Sequence, residues 1–271
     1  MTKPAALVIS LLATSSLRAQ DAVSPAVQTR EMNALFICPY TVDQGHFQIE
    51  TYLVGYAYAR DRSQNSDTRT TIWNVGHTTL KYGLSRNADV ELSLRPYTKL
   101  RTEDRIAHSV DRQSGFGDLV FKTKLNLLGN DDGPTAIALL PSLKIPTAQD
   151  HLGNDAVEGG LAVPIARELP CGWWVFLSPE LSLVQQSDGT GYSGAFADTL
   201  TLWHEIVGKL SGYVDFANWV AFDAAEEWYG TVDAGLTYML NPNVQLDLGV
   251  LFGVTHSAPD VNPFLGLSVR F

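Results

Sequence analysis

Residues 118–127 read DLVFKTKLNL. In an extended chain successive side chains point to opposite sides, so Leu119, Phe121, Thr123, Leu125 and Leu127 share one face. Asp118, Val120, Lys122, Lys124 and Asn126 share the other. Such a strand has two homes. In a soluble sandwich the apolar face is the core and the polar face meets water. In a membrane barrel the apolar face meets lipid and the polar face lines a lumen.

The rest of the chain decides between them. In 243–254, Val244, Leu246, Leu248, Val250 and Phe252 oppose Gln245, Asp247, Gly249 and Gly253, and 231–240 and 173–183 alternate in the same way. Further segments at 45–60, 70–83, 88–100, 135–147, 156–167, 195–206, 209–221 and 262–271 bring the number to about twelve, an even count. The alternation of 70–83 slips around Asn74 to Gly76, where a bulge is expected. Compact turns (SRN, GNDDG, NPN) alternate with long polar connectors such as DRSQNSDTR and RTEDRIAHSVDRQSG. That asymmetry, a glycine-rich polar face and aromatic residues near strand ends (Tyr40, Tyr82, Trp173, Trp228, Tyr229, Tyr238) favour a barrel. The expected fold is all-β, a transmembrane antiparallel up-and-down barrel of about twelve strands. An exported soluble β protein is the alternative.

The N-terminal stretch MTKPAALVISLLATSSLRAQ, with Lys3 ahead of an apolar run and small residues up to Ala19, has the layout of a secretory signal peptide. Residues 1–19 are read as that signal, 20–44 as a periplasmic segment able to act as a partial plug, and 45–271 as the barrel. Without the signal, 17 basic residues stand against 29 acidic ones, a net charge of −12 that attracts neither nucleic acid nor anionic lipid. Beyond it no apolar run reaches the ~18 residues of a membrane helix, so membrane entry falls to strands.

CPYT at 38–41, DQGHFQIE at 43–50, SGFGD at 114–118, LGNDDGPTAIALLPSLKIPTA at 128–148, GNDAVEGGLAVPIARELPCGWW at 153–174 and DVNPFLGLSVRF at 260–271 follow in order. Together they resemble the family labelled "putative MetA-pathway of phenol degradation". Its members are outer-membrane barrels usually described as transporters. The resemblance covers nearly all of the mature chain and implies a passive conduit in the cell outer membrane, with no catalytic residue to carry across. Two positions depart from the family pattern: Cys38 stands where arginine is common, and Cys171 where glycine is common.

Catalytic and metal chemistry find little footing. His204-Glu205 and His256-Ser257 are adjacent pairs, and neighbours on a strand face opposite ways, so neither pair shares a proton within a strand. The six histidines are scattered singly, and the glycines of SGFGD open no helix. No cofactor or metal is expected. The polar faces are more informative. They place a basic wall, Arg95, Lys122, Lys124 and Lys144, about half a turn from an acidic wall, Asp215, Asp233 and Asp247. Opposed walls impose a transverse field on the lumen. Local pairing, for instance through Glu91 or Asp118, is the competing reading.

By parity Tyr52, Tyr56, Tyr58, Trp174, Phe176, Tyr213 and Trp219 project inward. They narrow a barrel of roughly 24 Å backbone diameter to a pore for small molecules, aromatic ones included. Cys38 and Cys171 both fall at the periplasmic end, where a disulfide between them would strap the N-terminal segment across the mouth; two free thiols are the alternative. Phe271, after the alternating Leu265, Leu267 and Val269, reads as the terminal aromatic by which barrel assembly machinery recognises a client. The function implied is passive passage of small molecules. Its alternatives are a non-conducting structural or binding barrel meeting a partner through 101–114 and 185–193, and, less in keeping with the residues, a lipid hydrolase. The expected partners are outer-membrane lipid, the assembly machinery and a small-molecule solute, with no nucleic acid.

Overall fold

The computed structural model describes residues 37–63, 66–223 and 228–271, together with the two-residue strands Ser16–Leu17 and Met32–Asn33, which pair with each other. The signal peptide expected over 1–19 lies, apart from Ser16–Leu17, outside the described residues. Sixteen strand segments form one antiparallel sheet. Four staves are built in two pieces, so the wall has twelve: β1 (Phe47–Ser63), β2 (Ser66–Ser85), β3 (Ala88–Leu94 and Tyr97–Asp104), β4 (Ser109–Gly115 and Leu119–Leu128), β5 (Thr135–Ile145), β6 (Glu158–Ala162 and Ile165–Glu168), β7 (Trp173–Leu177 and Glu180–Gln185), β8 (Tyr192–Val207), β9 (Leu210–Ala221), β10 (Tyr229–Asn241), β11 (Val244–Gly253) and β12 (Val261–Arg270). β12 pairs with β1, from Arg270 opposite Gln48 to Val261 opposite Tyr58, and this closes the barrel. Closure leaves no unpaired edge, which a sheet in hydrocarbon requires.

The outer wall carries the apolar residues. Val90, Phe121, Leu125, Leu143, Leu161, Leu181, Leu200, Val214, Leu236, Leu248 and Leu265 are all exposed. Water would not tolerate so continuous an apolar belt, whereas lipid favours it. Inside, Lys81, Asp89, Glu91, Lys124, Asp215, Asp233, Gln245 and Asp247 are buried. The chain is therefore an outer-membrane barrel, apolar outside and polar within. Among the described residues no helix is long and apolar enough to cross a membrane.

Prolines account for three of the four split staves. Pro96, Pro164 and Pro179 sit at the gaps of β3, β6 and β7, where a residue without an N–H cannot continue the ladder. Residues 101–114, expected as a long polar connector, are mostly strand. The upper pieces of β3 and β4 pair from Thr98 opposite Gly115 to Asp104 opposite Ser109, leaving a tight turn between them.

Candidate functional site

The N-terminal segment enters the barrel. Residues 37–42 cross the lumen and are fixed to its wall by hydrogen bonds, among them one from Thr41 Oγ1 to the Arg86 carbonyl at 3.4 Å. Ser178 Oγ donates to the Ile37 carbonyl at 2.5 Å, Asn126 Nδ2 to the Pro39 carbonyl at 2.9 Å, and Lys124 Nζ to the Tyr40 carbonyl at 3.1 Å. Thr41 N–H donates to Asn130 Oδ1 at 3.1 Å, Asn130 Nδ2 donates to Thr41 Oγ1 at 2.8 Å, and Val42 N–H donates to Asp89 Oδ2 at 2.8 Å. The Cys38 side chain is buried against Trp174, Phe176, Trp203, Tyr213 and Met239. Ile37 packs on Leu140 and Ala162.

Both cysteines are free, Cys38 buried and Cys171 exposed. The strap between them is absent in this structure for a geometric reason. Cys38 points into an aromatic nest, while Cys171 sits in the turn between β6 and β7 with φ of 64°. The segment is held by wall side chains instead. Burial pushes the Cys38 thiol above its ordinary pKa, because the thiolate would lose its hydration.

All four residues of the expected basic wall face inward, but they do not act as one wall. Lys124 pairs with Glu91 at 3.0 Å, and Lys144 with Glu158 at 2.8 Å and Asp118 at 3.6 Å. Lys81, on the neighbouring stave, pairs with Glu50 at 2.6 Å. These charges are met locally because in-register positions on adjacent staves bring long side chains together: Glu91 lies opposite both Lys81 and Lys122, and Lys144 lies opposite Glu158. Arg95 and Lys122 remain at the wall of a cavity of about 150 Å³. Ile37 and Leu140 line the inner end of that cavity and Leu152 and Gly153 its outer end. The 146–157 loop that carries Leu152 folds inward, its Thr147 and Ala148 N–H groups both donating to Asp118 Oδ1 at 3.0 Å.

The acidic residues lie on three consecutive staves. Asp215 is directly opposite Asp233, and Thr201 Oγ1 donates to Asp215 Oδ1 at 2.7 Å. Asp247 accepts from Gln245 Nε2. Asp233 Oδ1 has no hydrogen bond among the described residues. The Tyr213 ring lies in front of them, where a Cβ on Gly235 or Gly249 would stand 2.2 or 2.5 Å from its hydroxyl, so both positions need glycine.

Parity succeeds for Tyr52, Trp174, Phe176, Tyr213 and Trp219. It fails for Tyr56 and Tyr58. Tyr56 pairs with the exposed Trp73 at a ring separation of 4.8 Å and faces out, and Tyr58, two residues on, faces the same way under Arg69. His204 Nε2 contacts the Cys171 carbonyl at 3.0 Å, and His256 lies 3.4 Å from Asp61; among the described residues neither histidine is hydrogen-bonded to a hydroxyl. Among the described residues no cluster of His, Cys, Asp or Glu could hold a metal ion. The sequence reading did not single out Glu50, Lys81, Asp89, Glu158 and Glu180. Their inward parity beside lysines of neighbouring staves was the available signal.

Phe271 closes the seam at the turn end. Its N–H donates to the Phe47 carbonyl at 2.8 Å, its own carbonyl accepts from Phe47 N–H at 3.2 Å, and its ring is exposed on the outside.

Solved structures share this architecture. The COG4313 outer membrane channel from Pseudomonas putida F1 superposes with a TM-score of 0.66 at 16% identity, covering 86% of this chain and 98% of that one. The NanC porin gives 0.52 at 8% identity over 82% and 100% of the two chains. The translocator domain of the autotransporter NalP from Neisseria meningitidis gives 0.53 at 10% identity over 84% and 89%. At these identities the likeness establishes the fold. No curated protein matches the sequence. A family model does: "Putative MetA-pathway of phenol degradation" aligns with residues 38–271, from the lumenal Cys38 to the exposed Phe271 at the seam, and the chain belongs to that family.

Proposed function

We propose that the barrel is a passive channel for small polar molecules across the outer membrane, narrowed on its inner side by residues 37–42. The observation that carries this reading is the cavity of about 150 Å³, inside a closed barrel and lined by Arg95, Asp118, Lys122, Lys144, Glu158 and Glu180. A membrane protein maintains ionisable side chains at membrane depth where water or a polar solute reaches them. That the structurally similar COG4313 protein is described as an outer membrane channel supports the reading. In this proposal residues 1–19 are the removed signal, 20–44 the periplasmic segment whose end forms the constriction, and Phe271 the assembly signal. The barrel performs no catalytic step.

The crossing of the lumen by 37–42 favours one competitor, a sealed barrel that binds a partner through its outer loops. Planar-bilayer recording separates the two. A channel gives discrete conductance steps, and deletion of residues 20–42 enlarges them. A barrel in which neither the full-length protein nor the deletion variant conducts is not a channel.

A further inference from the structure

Two ionisable side chains on the cavity wall form no ion pair. Lys122 on β4 and Glu180 on β7 both line the cavity, and neither has a hydrogen-bond or ion-pair partner among the described residues. This sets them apart from Lys81, Lys124 and Lys144, which are all paired. Glu91, directly opposite Lys122, acts on it most strongly and Glu180 next, yet neither carboxylate forms an ion pair with it.

The floor between them is shallow and polar. Lys122 lies opposite Ser142, Ser142 opposite Gly160, and Gly160 opposite Ser182, so one row crosses four staves at one height. The Glu180 carboxylate bends over Gly160, where a Cβ would stand 2.4 Å from its Oε1. That leaves two stave spacings, roughly 10 Å, between the Lys122 backbone and the carboxylate. A molecule with a negative group at one end and a positive group a few bonds away can meet both charges from the lumen side of the row. Leu140 and Trp219 supply apolar surface beside the row. A cavity near 150 Å³ holds a body the size of a benzene ring.

We propose that this row is a binding site for a zwitterionic solute of amino-acid size, its carboxylate on Lys122 and its ammonium on Glu180. The site deepens the channel reading and rests on it only for the consequence that the solute passes on through the barrel. Two opposite charges on one solute satisfy both wall groups at once. A singly charged solute leaves one of them without an ion pair.

Three probes of one shape test the site on detergent-solubilised full-length protein: phenylalanine, 3-phenylpropanoate and 2-phenylethylamine, with dissociation constants from ligand-observed NMR. Phenylalanine is expected to bind at least tenfold more tightly than either singly charged probe. Lys122→Met should weaken phenylalanine and 3-phenylpropanoate while sparing the amine; Glu180→Gln should weaken phenylalanine and the amine while sparing the acid. Equal affinities for the three probes, or variants that leave them unchanged, overturn the proposal. Bilayer conductance of the same preparations keeps the two readings apart. Conductance without discrimination among the probes refutes the site alone, and discrimination without conductance refutes the channel alone.

Discussion

Cys38 is a built-in reporter of whether residues 37–42 stay in the lumen. The thiol is 2% exposed, whereas Cys171 is open at the turn between β6 and β7, so one protein carries both the probe and its control. Exposing Cys38 requires releasing residues 37–40. Three hydrogen bonds break, those from Ser178, Asn126 and Lys124. Two neutral bonds at ~1 kcal/mol and one from an ammonium at ~2 kcal/mol make about 4 kcal/mol. Removing Ile37 and Cys38 from their apolar contacts adds roughly 4 kcal/mol. Backbone freedom regained by four residues returns about 1 kcal/mol each. The net cost of opening is about 4 kcal/mol, which slows alkylation of Cys38 roughly a thousandfold against Cys171.

Iodoacetamide labelling at pH 7.5, followed by peptide mass spectrometry over time, measures this ratio, and unfolded protein supplies the baseline of comparable rates. Ser178→Ala or Asn126→Ala should speed Cys38 about fivefold, one neutral hydrogen bond's worth, and leave Cys171 alone. The pH dependence has a definite sign. Burial raises the Cys38 pKa in the inserted segment, so insertion is fully favoured below the pKa of the released thiol and weakens as pH climbs above it. A small-molecule thiol reaches its limiting rate once ionised, whereas Cys38 should keep accelerating, close to tenfold per pH unit, through pH 9 to 10. If Cys38 reacts within about tenfold of Cys171 at pH 7.5, or ignores Ser178→Ala, the segment is not held as described.

Other perturbations probe the wall. Lys124→Met leaves Glu91 with only the longer contact to Lys81 at 4.0 Å and removes the donor to the Tyr40 carbonyl, and should destabilise by ~3 kcal/mol, read as a lowered unfolding temperature on heat-modifiability gels; adding Glu91→Gln should recover part of the loss. Changing Asp215, Asp233 and Asp247 together to Asn should lower the cation-to-anion permeability ratio in planar bilayers, and an unchanged ratio would show that these carboxylates do not govern what passes. Deleting Phe271 removes the backbone pair with Phe47 and an exposed aromatic at the seam; membrane levels of the barrel should fall severalfold while conductance per inserted barrel stays constant, and normal levels would dismiss its role in assembly.

The fold was readable because its signals are local. Alternation in 118–127 and 243–254 fixes which side of a stave meets lipid, and SRN, GNDDG and NPN mark one end of the barrel. The site was less readable because it depends on which stave lies beside which, and at what height. Lys122 and Lys124 look alike in DLVFKTKLNL. Only the folded barrel reveals that Lys124 reaches diagonally to Glu91 and meets the Tyr40 carbonyl, while Lys122, between Glu91 on one neighbouring stave and Ser142 on the other, forms no ion pair among the described residues and lines the cavity. The inserted segment was harder still, since its anchors lie on β3, β4 and β7 and on the turn after β4, up to 141 residues away in sequence.

The misplaced tyrosines expose the deepest reason. In β1, Gln48 and Glu50 are buried at even positions, but beyond Leu53 it is the odd Ala57 that is buried. β2 exchanges faces at the same height: Thr79 and Lys81 are buried below, Ile72 above, and Gly76 takes φ of 69° between them. In β3 the buried residues are Asp89, Glu91 and Ser93 below Pro96, and Leu100 above it. Across these three staves the pairing register holds, from Tyr52 opposite His77 to Val54 opposite Val75, and from Thr78 opposite Leu94 to Val75 opposite Tyr97. Against β12, by contrast, β1 slips by one residue between Leu265 and Gly266. A single inserted residue at Leu53 is therefore matched by a crease running along the sheet, and every stave it crosses turns its other face inward. Each stave on its own shows only a weak slip, as in Asn74 to Gly76; the crease becomes visible when the staves are laid side by side. It buries Ala57, Ile72 and Leu100 with Leu152 and sends Tyr56 to the lipid beside Trp73, so an apolar collar stands above the charged lumen where constant parity would have placed tyrosines.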